Sequence, residues 1–141
     1  DSRTMTVSEA IIKWLKTFKL EDQKMRHIDT DLLHGNIDYA LIKEPVQNVK
    51  TYLSGTKVIT GHYMLVARLP ASTNTDCMEN NGFGEALEQW VEEQTCNRVF
   101  PEIPNAKVQK VEVTTPFFMD KTETNNSIYQ MTVGITYVKE N

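Results

Sequence analysis

One cluster of side chains in the sequence could bind a metal ion, between residues 27 and 34. His27, Asp29 and Asp31 alternate along the chain, and His34 follows shortly after them. If this segment is extended, the three alternating side chains share one face, because successive residues of a strand point to opposite sides. Imidazole and carboxylate groups together suit a divalent cation. The spacing matches no specific ligand motif, so we favour a polar strand edge and turn and predict no metal ion.

The remaining reactive residue types match no catalytic or cofactor motif. Cys77 and Cys96 lack the paired ligand spacing of a zinc site, and we interpret them as two reduced thiols. Gly82-Phe83-Gly84 lacks the third glycine of a dinucleotide-binding loop. The sequence contains neither a phosphate-binding loop nor the G-x-S-x-G motif of a serine nucleophile. It therefore predicts a protein that is not an enzyme and that uses no cofactor.

Length and charge limit the other classes. A chain of 141 residues commonly forms one domain with a single core. We assign that domain to residues 5–141 and take residues 1–4 as a vector-derived remnant. With 15 Lys and Arg against 19 Asp and Glu, the net charge is −4, the wrong sign for gripping nucleic acid through its phosphates. No apolar run is long enough to cross a bilayer, and the start of the chain does not resemble a signal peptide.

A first amphipathic helix is predicted from Val7 to Phe18. The residues before and within its first turn form a capping box. In it, the Thr6 hydroxyl accepts a hydrogen bond from the Glu9 amide, and the Glu9 carboxylate accepts one from the Thr6 amide. Apolar residues follow at helical spacing, and they include Trp14. We expect this tryptophan to anchor the core rather than to bind a ligand.

A second amphipathic helix is predicted after a polar loop over Ala71–Asp76. It begins at about Gly82 or Phe83 and ends at Val99, with its apolar side chains on one side. Trp90 belongs to that side and is also expected in the core. The opposite side is acidic and is interpreted as a solvated face. Its residues are Glu85, Glu88, Glu92 and Glu93.

The rest of the chain has the composition and alternation of β-strands. A hairpin over Val49–Leu69 turns at Ser54-Gly55-Thr56, where glycine supplies a positive φ. Its long return strand is expected to project beyond the sheet. The other predicted strands are Met25–Asp29, Ile37–Lys43, Val108–Thr115 and Tyr129–Tyr137. Together with the two helices, these elements predict an α+β fold with a largely antiparallel, mixed sheet.

Two of these strands alternate in a way that predicts which side chains face the core. In the return strand of the hairpin, the inward residues are Ile59, Gly61, Tyr63, Leu65, Ala67 and Leu69. In the last strand, they are Tyr129, Met131, Val133, Ile135 and Tyr137. A sheet with one buried face is therefore expected, with both helices packed on it.

Two short segments are predicted to contact other chains. Pro116 is expected to end a strand, so that Phe117, Phe118 and Met119 lie in a loop that continues over Asp120–Asn126. Adjacent aromatic residues in a loop cannot all turn inward, which leaves part of this group for a partner. The predicted oligomer interface comprises this group and the hairpin turn: Ser54, Gly55, Thr56, Phe117, Phe118 and Met119.

Four segments carry a resemblance to a known family: residues 6–11 (TVSEAI), 38–45 (DYALIKEP), 115–119 (TPFFM) and 127–131 (SIYQM). In this order they resemble small proteins of the head–tail junction in tailed bacteriophages and in prophages of Gram-positive bacteria. Such proteins are called minor capsid proteins, and this chain resembles their tail-terminator group. The resemblance extends over nearly the whole chain from Met5.

The resemblance implies a structural role in the virion. Tail terminators have a sheet flanked by helices and form a hexameric ring at the head-proximal end of the tail tube, where they stop tube growth and join the tail to the head. The implied partners are further copies of the chain, the tail tube protein and the head connector or completion proteins. Assembly would take place in the bacterial host cytoplasm, without a membrane. DNA would pass through the ring without specific binding, which suits a negative net charge.

Other functions stay open on the sequence. Another phage morphogenesis component, either a tail tube subunit or a head-completion adaptor, would be distinguished by its assembly, since a tube subunit forms open-ended tubes and a terminator forms one closed ring. A small metal-dependent domain would use His27, Asp29, Asp31 and His34. A module that binds a small molecule or a peptide is a further alternative.

Overall fold

The computed structural model describes residues 6–20, 23–24, 28–30, 38–45, 47–70, 73–123 and 126–140. The helices are α1 (Val7–Leu15) and α2 (Asn74–Cys96). The strands are β1 (Lys19–Leu20), β2 (Gln23–Lys24), β3 (Ile28–Thr30), β4 (Asp38–Lys43), β5 (Asn48–Thr51), β6 (Lys57–Pro70), β7 (Lys107–Glu123) and β8 (Asn126–Lys139). These elements form an α+β fold, as the sequence predicts.

The main sheet has the strand order β3-β4-β6-β8-β7. β3 runs parallel to β4, whereas the pairs β4–β6, β6–β8 and β7–β8 are antiparallel, so the sheet is mixed. β5 also pairs with β6, at residues 57–60, while β4 pairs with β6 at residues 63–68. Because β8 occupies the other side of β6, β4 and β5 follow one another along the same side. β1 and β2 form a separate two-stranded sheet.

One face of the main sheet carries the core. The inward side chains of β6 and β8 are the ones that the alternation predicts, and those buried are Ile59, Tyr63, Leu65, Ala67, Leu69, Tyr129, Met131, Val133, Ile135 and Tyr137. Both helices pack on this face. Their buried apolar side chains are Ala10, Ile11, Trp14 and Leu15 from α1, and Phe83, Leu87 and Val91 from α2. Removing these apolar surfaces from water is the main stabilising contribution to such a fold.

The two tryptophans pack against each other, one from each helix. The rings of Trp14 and Trp90 lie 4.7 Å apart, and Phe18 packs on Trp90 at 5.4 Å. The Trp14 indole Nε1 donates a hydrogen bond to the Val99 carbonyl at 3.0 Å, which satisfies its polar group. Both tryptophans therefore anchor the core, as expected.

α1 begins as predicted but ends earlier. The Thr6 hydroxyl accepts a hydrogen bond from the Glu9 amide at 3.1 Å. The Glu9 carboxylate accepts a hydrogen bond from the Thr6 hydroxyl at 3.1 Å. At the other end, the Thr17 hydroxyl donates to the Trp14 carbonyl at 2.6 Å, and such a local bond competes with continuation of the helix. The predicted boundary at Phe18 was therefore too late, although Phe18 is buried.

α2 begins well before its predicted start. It starts at Asn74 rather than at Gly82, so the predicted loop Ala71–Asp76 is wrong for its second half. The first turns are rich in asparagine, aspartate and glycine, which have low helix propensity. Asn80 is nevertheless buried, and its Nδ2 donates to the Tyr129 hydroxyl at 3.4 Å. Tertiary packing overrides local propensity in this part of the helix.

α2 also ends before its predicted boundary at Val99. Arg98 has a φ of 58°, in the left-handed region. The Val99 amide then donates to the Gln94 carbonyl at 2.8 Å. A left-handed residue followed by this bond is a common way to end a helix, because it satisfies a carbonyl that has no partner inside the helix.

β7 continues through the segment that was predicted to be a loop. It runs to Glu123, so Phe117–Met119 belong to a strand, and the predicted loop over Asp120–Asn126 is wrong for the strand residues at its two ends. β7 lies at the edge of the sheet, and its pairing with β8 shifts register at several points, including around Pro116. An edge strand with such irregularities tolerates proline, because the missing amide is not needed for pairing. The proline was therefore a false stop signal.

The hairpin forms as predicted, but its long strand does not project. Residues 52–56 join β5 to β6 and contain Gly55. β6 pairs with β8 along its whole length, from Lys57↔Lys139 to Pro70↔Asn126. At the hairpin end, only residues 52–56, which connect β5 to β6, lie beyond the last strand pair.

The remaining strand predictions concern the early part of the chain. The predicted strand Ile37–Lys43 is confirmed as β4, although Ile37 lies outside the described residues. The predicted strand Met25–Asp29 overlaps β3 at Ile28 and Asp29, and residues 25–27 lie outside the described part. The two later predictions fall within β7 and β8.

Candidate interaction surface

The cluster of His27, Asp29, Asp31 and His34, for which the sequence predicts a polar strand edge and turn, lies largely outside the residues that the structure describes. His27, Asp31 and His34 lie there, and Asp29 is described only as part of the backbone of β3. In the described part of the chain, no group of three or more histidine, cysteine, aspartate and glutamate side chains could hold a metal ion. Cys96 is an exposed free thiol. Two surface features of the described residues instead invite a functional interpretation, a hairpin tip and a groove.

Hydrogen bonds give the hairpin tip, residues 48–57, a defined shape. The Tyr52 amide donates to the Thr56 carbonyl at 2.9 Å, and the Gly55 amide donates to the Tyr52 carbonyl at 2.9 Å. Gly55 has a φ of 91°, a conformation that glycine adopts without steric cost. The Ser54 hydroxyl donates to Oγ1 of Thr56 at 3.1 Å. The three predicted contact residues, Ser54, Gly55 and Thr56, therefore form the turn itself.

The apolar side chains of the hairpin tip face solvent. Leu53 exposes 109% of its reference surface, and Tyr52 and Val49 expose 46% and 49%. The Lys50 ammonium lies 5.4 Å from the centroid of the Tyr52 ring, at cation–π distance. Burial of an exposed leucine by another chain is worth roughly 1.5–3 kcal/mol. The hairpin tip therefore has the composition of a contact surface.

The sequence prediction placed the contact in the polar turn and missed the apolar residues beside it. Val49, Tyr52 and Leu53 were assigned to the strand and its approach to the turn. The signal that was available is the adjacent pair Tyr52-Leu53, which directly precedes the Ser-Gly turn. Large apolar residues at that place cannot be buried by their own hairpin, since the chain reverses there.

The structure separates the three contact residues predicted on β7. Phe117 turns inward, where its ring stacks on Tyr129 with centroids 5.1 Å apart and meets Phe83 edge-on at 5.8 Å. Phe118 and Met119 remain exposed, at 43% and 51%. β7 and β5 lie on opposite sides of the β6–β8 pair. The two predicted segments therefore do not form one continuous surface.

A groove runs between α2 and β7, and we call it the α2–β7 groove. It encloses about 360 Å³. Two hydrogen bonds tie the helix to the strand along it: the Thr95 hydroxyl donates to the Val111 carbonyl at 2.5 Å, and the Phe117 amide donates to Oε1 of Glu88 at 2.6 Å. Val111 and Val91 give the groove an apolar floor, and both are buried.

The rim of the α2–β7 groove is negatively charged. Glu88, Glu92 and Glu112 line it together with a single cation, Lys110. Lys110 lies 3.3 Å from Glu112, and both side chains are about half exposed. The prediction that the acidic residues of α2 form a solvated face holds for Glu85, Glu92 and Glu93, which are exposed. It is wrong for Glu88, which is half-buried and accepts a hydrogen bond from the Phe117 amide of β7.

Among the residues that the structure describes, the ionisable groups with shifted pKa values are tyrosines of the core. Burial raises the pKa of Tyr63 to about 12, and the neighbouring Tyr137 adds to that shift. Burial also raises the pKa of Tyr39 and that of Tyr137. Each shift moves the pKa of a phenol further above pH 7, so these groups do not serve as acids or bases at neutral pH.

Comparison with known proteins does not assign the chain to a family. No protein-family model matches the sequence, and no curated protein matches it well enough to be counted as a relative. Neither described helix combines the length and the apolar composition that a membrane span requires.

Proposed function

We propose that this protein is a non-enzymatic assembly protein, a minor capsid protein of the tail-terminator kind that forms a closed ring at the head–tail junction of a phage virion. There it stops growth of the tail tube and joins the tail to the head. The observation that carries the proposal is Leu53, fully exposed at the hairpin tip beside Tyr52 and Val49. A surface of this kind serves contact with another protein chain.

Two further features support the proposal. An α+β fold whose sheet is flanked by helices is the architecture that the resemblance to tail terminators implies. The segments that carry the resemblance fall at the start of α1, in β4 and the two residues after it, in β7 and in β8. The net charge of −4 suits a ring through which DNA slides without sticking.

The first test is the mass of the protein in solution, measured by light scattering across concentration, with negative-stain images of the same sample. We expect a concentration-dependent shift to one closed oligomer. Leu53→Glu should lower the association constant by roughly tenfold or more, because it places a charge where an apolar contact forms. Met78→Glu is the matched control, since Met78 is 73% exposed on α2, away from the hairpin tip.

The outcomes separate the proposal from its alternative. Closed rings that Leu53→Glu disrupts and Met78→Glu preserves support a terminator. Open-ended tubes would instead identify a tail tube subunit. A chain that stays monomeric at every concentration, and that neither binds purified tail tubes nor stops their growth, would overturn the proposal.

A further inference from the structure

The α2–β7 groove has the form of a receptor for a small apolar group. Its 360 Å³ would hold roughly ten water molecules, which is ample for a leucine side chain. The hydrogen bonds from Thr95 and to Glu88 fix the helix to the strand on this side. The groove is therefore largely formed before any ligand enters, with Val91 and Val111 as its floor.

The hairpin tip and the groove carry opposite charge. The hairpin tip contains Lys50 and Lys57 and no acidic residue. The groove is lined by three glutamates and one lysine. Surfaces of opposite sign attract each other and fix the orientation in which two chains meet. The apolar side chain of Leu53 and the apolar floor of the groove would add contact area between these charged residues.

Within one chain, the hairpin tip and the groove lie at opposite edges of the sheet. At this end of the sheet the strand order is β5-β6-β8-β7. With neighbouring strands about 4.8 Å apart, the outer strands are separated by roughly 14 Å. The hairpin tip therefore cannot reach the groove of its own chain, whereas the tip of a second copy can.

We propose that the hairpin tip of one copy binds in the α2–β7 groove of the next copy, with Leu53 on the valine floor and Lys50 and Lys57 facing the glutamates of the rim. This inference rests on the proposed function, because it specifies the contact by which the ring forms. It joins two different surfaces, so the contact is heterologous, and repetition by rotation closes a ring.

A second groove in the described residues fits the hairpin tip less well. It lies beside Trp14 and Phe100 and encloses about 250 Å³. Its charged lining residues are Lys13 and Glu102, one of each sign. It therefore offers no net charge to complement the lysines of the hairpin tip, and the α2–β7 groove is the better receptor.

Cysteine cross-linking tests the contact directly, because Cys96 lines the α2–β7 groove and is exposed. The test variant combines Leu53→Cys with Cys77→Ser and is treated with a short bifunctional maleimide reagent. We expect a ladder of cross-linked copies on a denaturing gel. Adding Cys96→Ser should remove the ladder, and Met78→Cys in place of Leu53→Cys should give none.

Charge reversal tests the same contact without cysteines. Lys50→Glu and Glu92→Lys should each lower the association constant by roughly fivefold to tenfold, and their combination should recover most of the loss. Glu85→Lys is the matched control, because Glu85 is exposed on α2 but does not line the groove. Association of the unmodified chain should also weaken as salt is raised.

The results distinguish this contact from the proposed function. Two results would overturn the contact and leave the proposed function standing. In the first, rings form but Leu53→Cys is not cross-linked to Cys96. In the second, rings form but Lys50→Glu combined with Glu92→Lys does not recover association. A chain that never self-associates and does not act on tail tubes would overturn both. A ladder that depends on both cysteines, together with recovery of association, supports the contact.

Discussion

The two outer strands at one end of the sheet, β7 and β5, differ in how far the rest of the chain covers them. α2 packs along β7, and side chains of the helix hydrogen-bond its backbone at Val111 and at Phe117. Register shifts around Pro116 distort β7 further. All four residues of β5 are exposed, and in the described part of the chain β5 pairs only with β6.

This contrast supports the proposal that the hairpin tip contacts another chain. An unpaired edge strand invites association, and proteins that must avoid it use bulges, proline or a covering helix. β7 has all three. The hairpin tip lacks them and adds Leu53, which is fully exposed. We infer that the protection of β7 limits unspecific pairing, while the hairpin tip provides the specific contact.

The largest expected difference concerns two leucines, one from each region. Leu87 of α2 is fully buried, whereas Leu53 is fully exposed. Leu87→Ala should lower the free energy of unfolding by about 2–5 kcal/mol, because it leaves a cavity in the core. Leu53→Ala should change it by less than about 0.5 kcal/mol. Urea unfolding at a concentration below that of self-association measures both.

Self-association should respond in the reverse order. Leu53→Ala should weaken it, and Leu87→Ala should not, at temperatures where the variant remains folded. A large stability loss from Leu53→Ala would contradict the division into a core region and a contact region.

The next effect concerns the stability of the fold at high pH. Tyr63 lies on β6 just after the stretch that pairs with β5, and burial raises its pKa to about 12. The unfolded chain loses this proton near pH 10, whereas the folded chain retains it. The contribution of Tyr63 to the free energy of unfolding is therefore fully present below pH 10 and is lost as the pH rises toward 12. The loss amounts to about 2–3 kcal/mol at most.

Urea unfolding at a series of alkaline pH values measures this loss. Tyr63→Phe is the control, because it keeps the buried ring and removes the ionisable group. The slope of stability against pH should be shallower in that variant. Equal slopes would mean that Tyr63 does not retain its proton in the folded state.

The sequence was informative where a local pattern of residues alone decides which side chains are buried or how a helix begins. The alternation in β6 and β8 predicted the side chains that face the core, although Val66 and Thr132 on the opposite face are buried as well. The capped start of α1 was predicted for a similar reason, because the Thr6 hydroxyl needs only its neighbour Glu9. These features depend on local chemistry that can be read along the chain.

The sequence was misleading where a contact from a distant element decides the structure. The early turns of α2 have weak helix formers, and they are stabilised by packing, with Asn80 bonded to Tyr129. The continuation of β7 past Pro116 depends on its place at the sheet edge, which no local pattern encodes. Likewise, the exposure of Leu53 follows from the shape of the turn, and the α2–β7 groove exists only once helix and strand meet.

The smallest expected effect distinguishes packing from propensity within the helix that protects β7. A Cβ atom added at Gly84 would lie 2.6 Å from Cγ and 2.9 Å from Cε1 of Phe117. The Phe117 ring cannot easily move away, because it is stacked on Tyr129 and meets Phe83. Gly84→Ala should therefore lower the free energy of unfolding by about 1–3 kcal/mol.

Gly82 is the matched control on the same helix, since a Cβ atom there meets nothing within 4 Å. Gly82→Ala should raise stability by about 0.8–1 kcal/mol through helix propensity alone, as measured by the same urea unfolding. If Gly84→Ala were equally stabilising, the close approach of α2 to β7 would not matter for the fold. Opposite signs at these two glycines would instead show that α2 is held against β7 by the fit of its surface, despite a sequence that favours the helix only weakly.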